Sequence, residues 1–340
     1  MNDLEARLAE QIALTGPLSY AAFVDAALYD EHDGFYATVG RAGRRGDFLT
    51  SPEVGPLFGV VIARALDTWW VELGRPSEYR VVECGAGPGT LARAVIAQRD
   101  SMACANALRY VTIERSAAQR ALHPADVEAR AAFDDAAFTG IIVANELLDN
   151  LPFDLVEVRD GQWRDVLVDR RDGAFVEVLG SLAIGVTQPA PGDGARLPRQ
   201  TVAAQFVLDA LARLAHGRLV AIDYTADTNA IIARPWRDWM RTYRQHQRGG
   251  DPLDEPGTQD ITCEVALDAL DPAPTEVSSQ AEFLRTHGID ALVDEGRTAW
   301  RDGAHQGGLA ALRGRSRVRE AEALCDPRGL GGFSVMQWVR

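Results

Sequence analysis

The sequence predicts an α/β protein built on a doubly wound parallel sheet, with a helical N-terminal cap and an inserted helical arm. Three observations carry that expectation. From Tyr79 onward, short β-branched runs alternate with helical segments, the rhythm of βαβ units and a parallel sheet. The first of these runs ends in a glycine-rich turn, Cys84-Gly85-Ala86-Gly87-Pro88-Gly89, which leads into a helical pattern. Before Tyr79, apolar residues recur instead at helical spacing.

Residues 1–75 read as the cap. From Leu18 to Tyr29, the residues Tyr20, Phe23, Val24, Ala27 and Leu28 form one apolar stripe, the mark of an amphipathic helix. Gly40, Gly43 and Gly46, interleaved with Arg41, Arg44 and Arg45, describe a loop without apolar periodicity. Ser51-Pro52-Glu53 then combines an N-cap hydroxyl, a proline at the first helical position and an acid in the first turn. The helix so opened carries Leu57, Val60, Val61 and Leu66 towards Trp69 and Trp70.

Residues 76–225 read as the α/β domain, with strands expected at Tyr79 to Glu83, Tyr110 to Glu114, Gly140 to Ala144 and Arg218 to Asp223. Between the last two lie three alternating runs, Leu155 to Arg159, Trp163 to Asp169 and Phe175 to Leu179. Asp160-Gly161 and Asp172-Gly173 separate them, so an antiparallel meander is expected over about residues 154–180. Residues 187–198, rich in proline and glycine, read as a linker or exposed loop. Residues 226–272 break the βαβ rhythm and read as the inserted arm. There Trp236, Trp239 and Tyr243 stand at helical spacing with Arg237, Arg241, Arg244 and Arg248 around them, so a helix with an aromatic seam is expected. Residues 273–340 hold the final strands and helices, with strands at Glu276 to Ser278 and Phe333 to Val339.

Composition then removes whole classes of chemistry. The chain has 340 residues, 25% charged and 46% apolar, as expected of a globular protein of about two domains. All 35 of its basic residues are Arg, which excludes Schiff-base chemistry, Walker-type phosphate loops and lysine-based kinase sites. Against 49 acidic residues, these arginines leave a net charge of -14, so phosphates are repelled and cations attracted. Nucleic acid is therefore not an expected partner, whereas a basic protein or small cation is compatible. Cys84, Cys104, Cys263 and Cys325 form no CxxC pair, and the six histidines form no HExxH, so no metal is expected. The acidic start and the lack of any long apolar run give a cytoplasmic protein, without a membrane span, as the expectation.

The chemistry concentrates in Val81 to Leu91. Strand, glycine-rich turn and helix follow one another, so backbone N–H groups and a helix N-terminus face the ligand. A dinucleotide dehydrogenase requires G-x-G-x-x-G, whereas Gly85, Gly87 and Gly89 give G-x-G-x-G. Glu83, at the end of the strand, opposes a phosphate and welcomes a cation. S-adenosylmethionine is positively charged and carries no phosphate. Glu114, ending the second strand, stands where a carboxylate accepts both ribose hydroxyls. Glu83, the three glycines and Glu114 together point to a methyltransferase with S-adenosylmethionine as cofactor.

After the third strand comes Asn145-Glu146-Leu147-Leu148-Asp149-Asn150-Leu151-Pro152. In an open α/β sheet, this loop borders the ligand. Glu146 and Asp149, three residues apart, share one face if a helical turn begins there, and two carboxylates can clamp a guanidinium. First-turn acids can equally complement a helix dipole.

These segments, with Gly46-Asp47-Phe48-Leu49-Thr50-Ser51-Pro52-Glu53 and Pro256-Gly257-Thr258-Gln259-Asp260-Ile261-Thr262, resemble the MidA family of S-adenosylmethionine-dependent methyltransferases from about Thr15 to the C-terminus. Its mitochondrial members assist respiratory complex I assembly and methylate a protein arginine. The resemblance implies a Rossmann-like methyltransferase sheet with the Asp47 to Glu53 segment close to cofactor and substrate: Asp47 joins Asn145, Glu146 and Asp149 on the catalytic side, and Ser51, Pro52 and Glu53 join the cofactor side. Asn145 stands where mitochondrial members carry His, and Cys84 where Leu is common. The expected reaction is methylation of an arginine in a partner protein, and a homodimer is compatible with the sequence. The alternatives are a small-molecule acceptor or a non-catalytic assembly protein on the same fold.

Overall fold

The computed structural model describes residues 3–38, 50–244, 247–303 and 308–340. Asp47 and the glycines Gly40, Gly43 and Gly46 therefore lie outside the described residues. The chain opens with α1 (Asp3–Thr15) and α2 (Tyr20–Tyr29). Ser19 caps α2 by accepting the Ala22 N–H at 3.1 Å, and the whole expected stripe from Tyr20 to Leu28 is buried. Beyond a four-residue helix at Phe35–Thr38, α3 (Ser51–Val54) and α4 (Pro56–Glu72) correct the expectation of one helix capped by Ser51. Thr50 is the N-cap, Ser51 is buried, and its hydroxyl donates to Gln280 Oε1 at 2.9 Å. The break falls at Gly55 because Pro56 disfavours the helical conformation in the residue before it.

The α/β body follows with β1 (Tyr79–Cys84), α5 (Thr90–Ile96), β2 (Leu108–Ile113), β3 (Glu128–Arg130) and β4 (Phe138–Asn145). Then come β5 (Asp154–Arg159), β6 (Gln162–Arg171), β7 (Ala174–Leu182), β8 (Arg196–Arg199), α6 (Thr201–Ala212) and β9 (Leu214–Asp223). The two Asp-Gly turns of the meander have positive φ at both residues, +54° and +71° at Asp160-Gly161 and +49° and +84° at Asp172-Gly173. This is the backbone twist that antiparallel hairpins favour. The expected loop 187–198 is corrected at its end: β8 pairs with β5, and Pro198 is tolerated because β8 is an edge strand.

The arm is the larger correction. It contains two short helices, Thr228–Ile232 and Trp236–Trp239, followed by β10 (Met240–Arg244), β11 (Gln247–Arg248) and β12 (Asp260–Cys263). These strands form an antiparallel sheet in the order β11-β10-β12. Trp236 and Trp239 do share one helical turn, but from Met240 the burial alternates with period two: Met240 and Thr242 inward, Arg241 and Tyr243 half-exposed. Pairing with the fully buried β12 decides between the two periods.

The chain closes with β13 (Glu276–Ser279), α7 (Gln280–Thr286), α8 (Ile289–Gly303), α9 (Leu309–Leu324) and β14 (Ser334–Val339). The main sheet runs β13-β14-β9-β4-β1-β2-β3, with β14 antiparallel to both its neighbours and β1, β2, β3, β4 and β9 mutually parallel. One face packs on α4, α5, α7, α8 and α9, the other on α6 and Leu148. A third core unites α1 and α2 with the meander and with Trp239, Met240, Ile261 and Cys263 of the arm. From β1 the chain first adds β2 and β3 on one side, then crosses to add β4 and β9 on the other. Such a reversal leaves a crevice beyond the carboxyl ends of β1 and β4. Among the described residues no helix is long and apolar enough to cross a membrane.

Candidate active site

A cleft of about 290 Å³ opens at that crevice. Its floor is the loop after β1, where Gly85, Gly87 and Gly89 have φ of +66°, +51° and +76°. A Cβ on Gly85 would stand 2.9 Å from Leu147 Cδ1, and one on Gly89 would stand 2.9 Å from His123 Cδ2, so side chains are excluded from the loop by contact as well as by backbone conformation. Gly85 and Gly87 line the cleft, whereas Gly89 is the N-cap of α5 and stands behind it.

One carboxyl group, Glu114, holds this loop, and a second, Glu83, stands at its start. Glu114 accepts the Gly87 N–H at 3.0 Å on Oε2 and the Ser116 N–H at 2.8 Å on Oε1. Each oxygen retains a second lone pair, the requirement for accepting two vicinal ribose hydroxyls. Burial raises the carboxyl of Glu114 above its ordinary range. Glu83 accepts the Tyr110 hydroxyl at 2.7 Å, and burial pushes it up to about 7. His123 braces the same loop, with Nε2 2.7 Å from the Gly87 carbonyl and Nδ1 2.8 Å from the Thr112 hydroxyl. Burial lowers its pKa, which favours the neutral ring, and a neutral ring supplies one donor and one acceptor. Phe133, Leu151 and Phe206 add an apolar wall. Open glycine loop, carboxylate with spare lone pairs and apolar wall fit a nucleoside with no phosphate.

The other end of the cleft is acidic. Glu146, at φ +49°, follows β4 and lines the cleft; its Oε1 accepts the Ser51 N–H at 3.1 Å and Asn145 Nδ2 at 3.1 Å. Leu148 to Asn150 form one 3-10 turn that continues into no helix, so no helix dipole is available for these acids to complement. Asp223, at the end of β9, accepts the N–H groups of Leu148 and Asp149 and thereby fixes the turn. Asp149 points behind the cleft wall: its Oδ2 takes the Tyr224 hydroxyl, and its Oδ1 is buried with no hydrogen-bond partner among the described residues. Asp260, from β12, accepts Tyr36 Oη at 3.0 Å and Asn150 Nδ2 at 3.1 Å. Burial first, and the neighbouring negative charges second, push Glu146 and Asp260 each up to about 8. The same causes raise Asp223 well above the carboxylate range, and burial raises Asp149. Among the described residues no group of three or more His, Cys, Asp or Glu is arranged to hold a metal.

The structure therefore brings together Glu83, Gly85, Gly87, Glu114, Pro52, Glu53, Asn145 and Glu146 as cleft-lining residues. Glu53 reaches the loop helix directly, accepting the Thr90 hydroxyl at 2.5 Å. Three expectations are corrected. Ser51 does not line the cleft and contributes its backbone N–H to Glu146 instead; Gly89 and Asp149 stand one layer behind the wall. Asp47 lies outside the described residues. Sequence reasoning missed His123, Asp223, Tyr36 and Tyr224, and it read Asp260 only as part of a motif. The one available signal for Asp223 was its position at a strand's carboxyl end, the same signal that identified Glu83 and Glu114.

Comparison with known proteins agrees with this geometry. A family model described as an S-adenosyl-L-methionine-dependent methyltransferase matches residues 61–285, more than half of the chain. A Drosophila melanogaster relative, the mitochondrial protein arginine methyltransferase NDUFAF7 homolog, is 28% identical over 302 residues, 77% of this chain and 68% of its own. The Mus musculus protein arginine methyltransferase NDUFAF7 is 27% identical over 329 residues, covering 83% and 73%. A solved Burkholderia thailandensis structure bound to S-adenosyl-homocysteine superposes with a TM-score of 0.85 at 27% identity, covering 99% of this chain and 92% of that one. The chain thus belongs to the MidA-like family of S-adenosyl-L-methionine-dependent methyltransferases, enzymes whose cofactor is S-adenosylmethionine.

Proposed function

We propose that the enzyme methylates a guanidinium nitrogen of an arginine in a partner protein. One observation carries this reading: Glu146, Asp149, Asp223 and Asp260 are gathered around one turn, each raised by burial, and among the described residues no arginine is hydrogen-bonded or ion-paired to any of them. Buried carboxylates without a counter-ion cost several kcal/mol each. A planar guanidinium, with five N–H donors in a fixed fork, pairs with the one that lines the cleft, Glu146, and its charge offsets those buried behind it. The names of the fly and mouse relatives, both arginine methyltransferases, support the same acceptor.

In this reading Gly85 and Gly87 let the cofactor approach the backbone, Glu114 holds its ribose and Glu83 its charged end, with Pro52 and Glu53 above. When bound, S-adenosylmethionine supplies an electrophilic methyl group on a positive sulfur. Glu146 orients the guanidinium and draws its charge towards itself, which leaves the nitrogen facing the methyl group more nucleophilic, while Asp149, held by Tyr224 behind the wall, positions the turn that carries Glu146. As that nitrogen forms its bond to carbon, the C–S electron pair stays on sulfur and the nitrogen loses one proton. Glu146 takes this proton, because its Oε2 accepts no hydrogen bond among the described residues and its carboxyl, raised to about 8, lines the acidic end of the cleft. Asn145 holds Glu146 in place.

The test is incubation with radiolabelled cofactor and lysate, followed by acid hydrolysis of the labelled product. Methylarginine is expected, and label on a small molecule or another side chain overturns the acceptor. Replacing Glu146 by Gln keeps an oxygen for Ser51 and Asn145 but removes a charge-assisted contact of about 1.5–3 kcal/mol, or roughly one to two decades in rate. S-adenosylhomocysteine affinity should not move. An unaltered rate in Glu146→Gln and in Asp149→Asn removes the clamp.

A further inference from the structure

The arm carries a polar pocket of about 170 Å³ whose lining includes Arg237, Arg241, Arg248, Trp236, Gly249 and Gly250 and no carboxylate side chain, although Asp254 and Glu255 line a larger pocket that adjoins it at Arg248. Such a lining is unexpected in a chain with 49 acidic residues. Arg237 stacks on Trp236, with its guanidinium carbon 4.0 Å from the ring centroid, and pairs with Asp251 at 3.3 Å. Arg241 and Arg248 have no acidic partner among the described residues: Arg241 donates to the Asp238 carbonyl at 2.7 and 2.9 Å, and Arg248 to the Arg237 carbonyl at 3.4 Å. These contacts pre-orient both guanidinium groups without neutralising them.

The sheet register ties this pocket to the acidic site. Arg248 pairs with Tyr243, and Tyr243 with Asp260, so the three residues form one row across β11, β10 and β12. Along the row exposure falls from Arg248, which is exposed, through Tyr243, half-exposed, to Asp260, which is buried. Arg241, paired with Thr262 two rows along, stands with its guanidinium 6.0 Å from the centroid of Tyr224, whose hydroxyl binds Asp149. The cationic pocket and the carboxylates are thus one tyrosine apart, on the order of 10 Å or about three residues of extended chain.

We infer that this pocket docks an acidic side chain of the substrate protein a few residues from the methylated arginine. The inference rests on the arginine reading for its registration with the carboxylates. Its occupant is a peptide carboxylate, because the remaining surface of a chain at net charge -14 repels the long phosphate backbone of a nucleic acid. Acceptor specificity then has two parts: the guanidinium finds the buried acids, and its acidic neighbour finds Arg241 and Arg248.

The test uses the full-length protein and a double variant, Arg241→Glu with Arg248→Glu, together with Arg241→Gln and Arg248→Gln as the milder pair. Fluorescence anisotropy follows three probes: an Asp/Glu-rich decapeptide without arginine, a Ser/Gly decapeptide, and a single-stranded DNA decamer. The acidic peptide should bind wild type, weaken with added salt, and lose at least tenfold in affinity in the Glu pair and less in the Gln pair, while S-adenosylhomocysteine affinity stays constant. Equal binding of the Ser/Gly peptide, tighter binding of DNA, or acidic-peptide affinity indifferent to the substitutions overturns the inference. Methylation of acid-flanked and neutral-flanked arginine peptides separates it from the function it rests on. A lower KM for the acid-flanked peptide that disappears in the Glu pair, at unchanged kcat, supports docking, and equal KM values overturn it. If neither peptide is methylated while the arginine-free acidic peptide still binds through Arg241 and Arg248, the arginine reading fails and the acid-binding pocket stands.

Discussion

At Gly87 the requirement is for a missing atom. Its φ of +51° lies in the left-handed region, and a Cβ there would come within 3.3 Å of Gln119 Oε1. Replacing it by Ala therefore adds about 1–2 kcal/mol of backbone strain and places a methyl group against the cleft. The same N–H orients Glu114, so the change also disturbs the carboxylate proposed for the ribose. We expect Gly87→Ala to weaken S-adenosylhomocysteine binding at least tenfold in calorimetry while circular dichroism stays native, and an unchanged affinity removes the loop from the cofactor site. The acids follow another logic. Glu146 and Asp149 were legible as a spaced pair, but the spacing could not say that Glu146 would turn to φ +49° and line the cleft while Asp149 turned inward to Tyr224. Asp223, which ends β9, and Tyr224, which follows it, lie more than 70 residues away, and only tertiary structure brings them to the turn.

At the scale of elements, what was legible followed from periodicity. The central parallel strands β1 and β4 are nearly continuous apolar runs buried on both faces, whereas the edge strand β3 is charged, largely exposed and was not legible; the meander advertises itself through two Asp-Gly turns. The arm was misread because a single helical turn, Trp236–Trp239, precedes a strand whose partner, β12, lies some 20 residues later. Residue pattern alone does not see that partner. The join between α3 and α4 was misread for a similar reason, since Glu320 on α9 completes it. Glu320 is buried, accepts the Leu57 N–H at 2.9 Å on Oε2 and the Ser316 hydroxyl at 2.6 Å on Oε1, and fills the space where Gly55 would carry a Cβ. It is thus an N-cap supplied from another helix. Truncating Glu320 to Ala should cost about 1–2 kcal/mol in urea unfolding, the range of a lost cap, and should leave S-adenosylhomocysteine affinity in place because the glycine loop is untouched. A variant as stable as wild type shows that the cap carries no energy.

For the whole molecule, the cluster of raised carboxyls sets how stability responds to pH. A carboxyl whose folded pKa exceeds its unfolded value binds more protons in the native state, so its contribution is intact below the unfolded pKa and is lost as pH rises through the folded one. Glu146 and Asp260 run from the ordinary carboxylate range to about 8, and Glu83 to about 7, with Asp223, Asp149 and Glu114 shifted the same way. His287 opposes them: burial lowers it to about 4, so its contribution is lost as pH falls below about 6.5, and His123 is lowered too. Two imidazoles against six carboxyls leave the acids dominant between those limits. Without ligand, the protein should therefore melt at a higher temperature at about pH 5.5 than at about pH 8.5, the reverse of a protein whose acids are all paired. Glu146→Gln removes one of the groups that must ionise and should flatten the decline. A guanidinium in the site reverses the sign locally, because a neighbouring cation lowers the carboxyl pKa values and favours the charged forms. An arginine-containing substrate peptide should accordingly raise the melting temperature more at about pH 8.5 than at about pH 5.5, with protons released on binding across that window. Thermal melts at the two pH values, with and without peptide, measure both effects. A melting temperature that climbs with pH in the free protein, or a peptide effect larger in acid, means that these carboxyls are ionised and compensated in the empty protein, and that no cation is needed to complete the site.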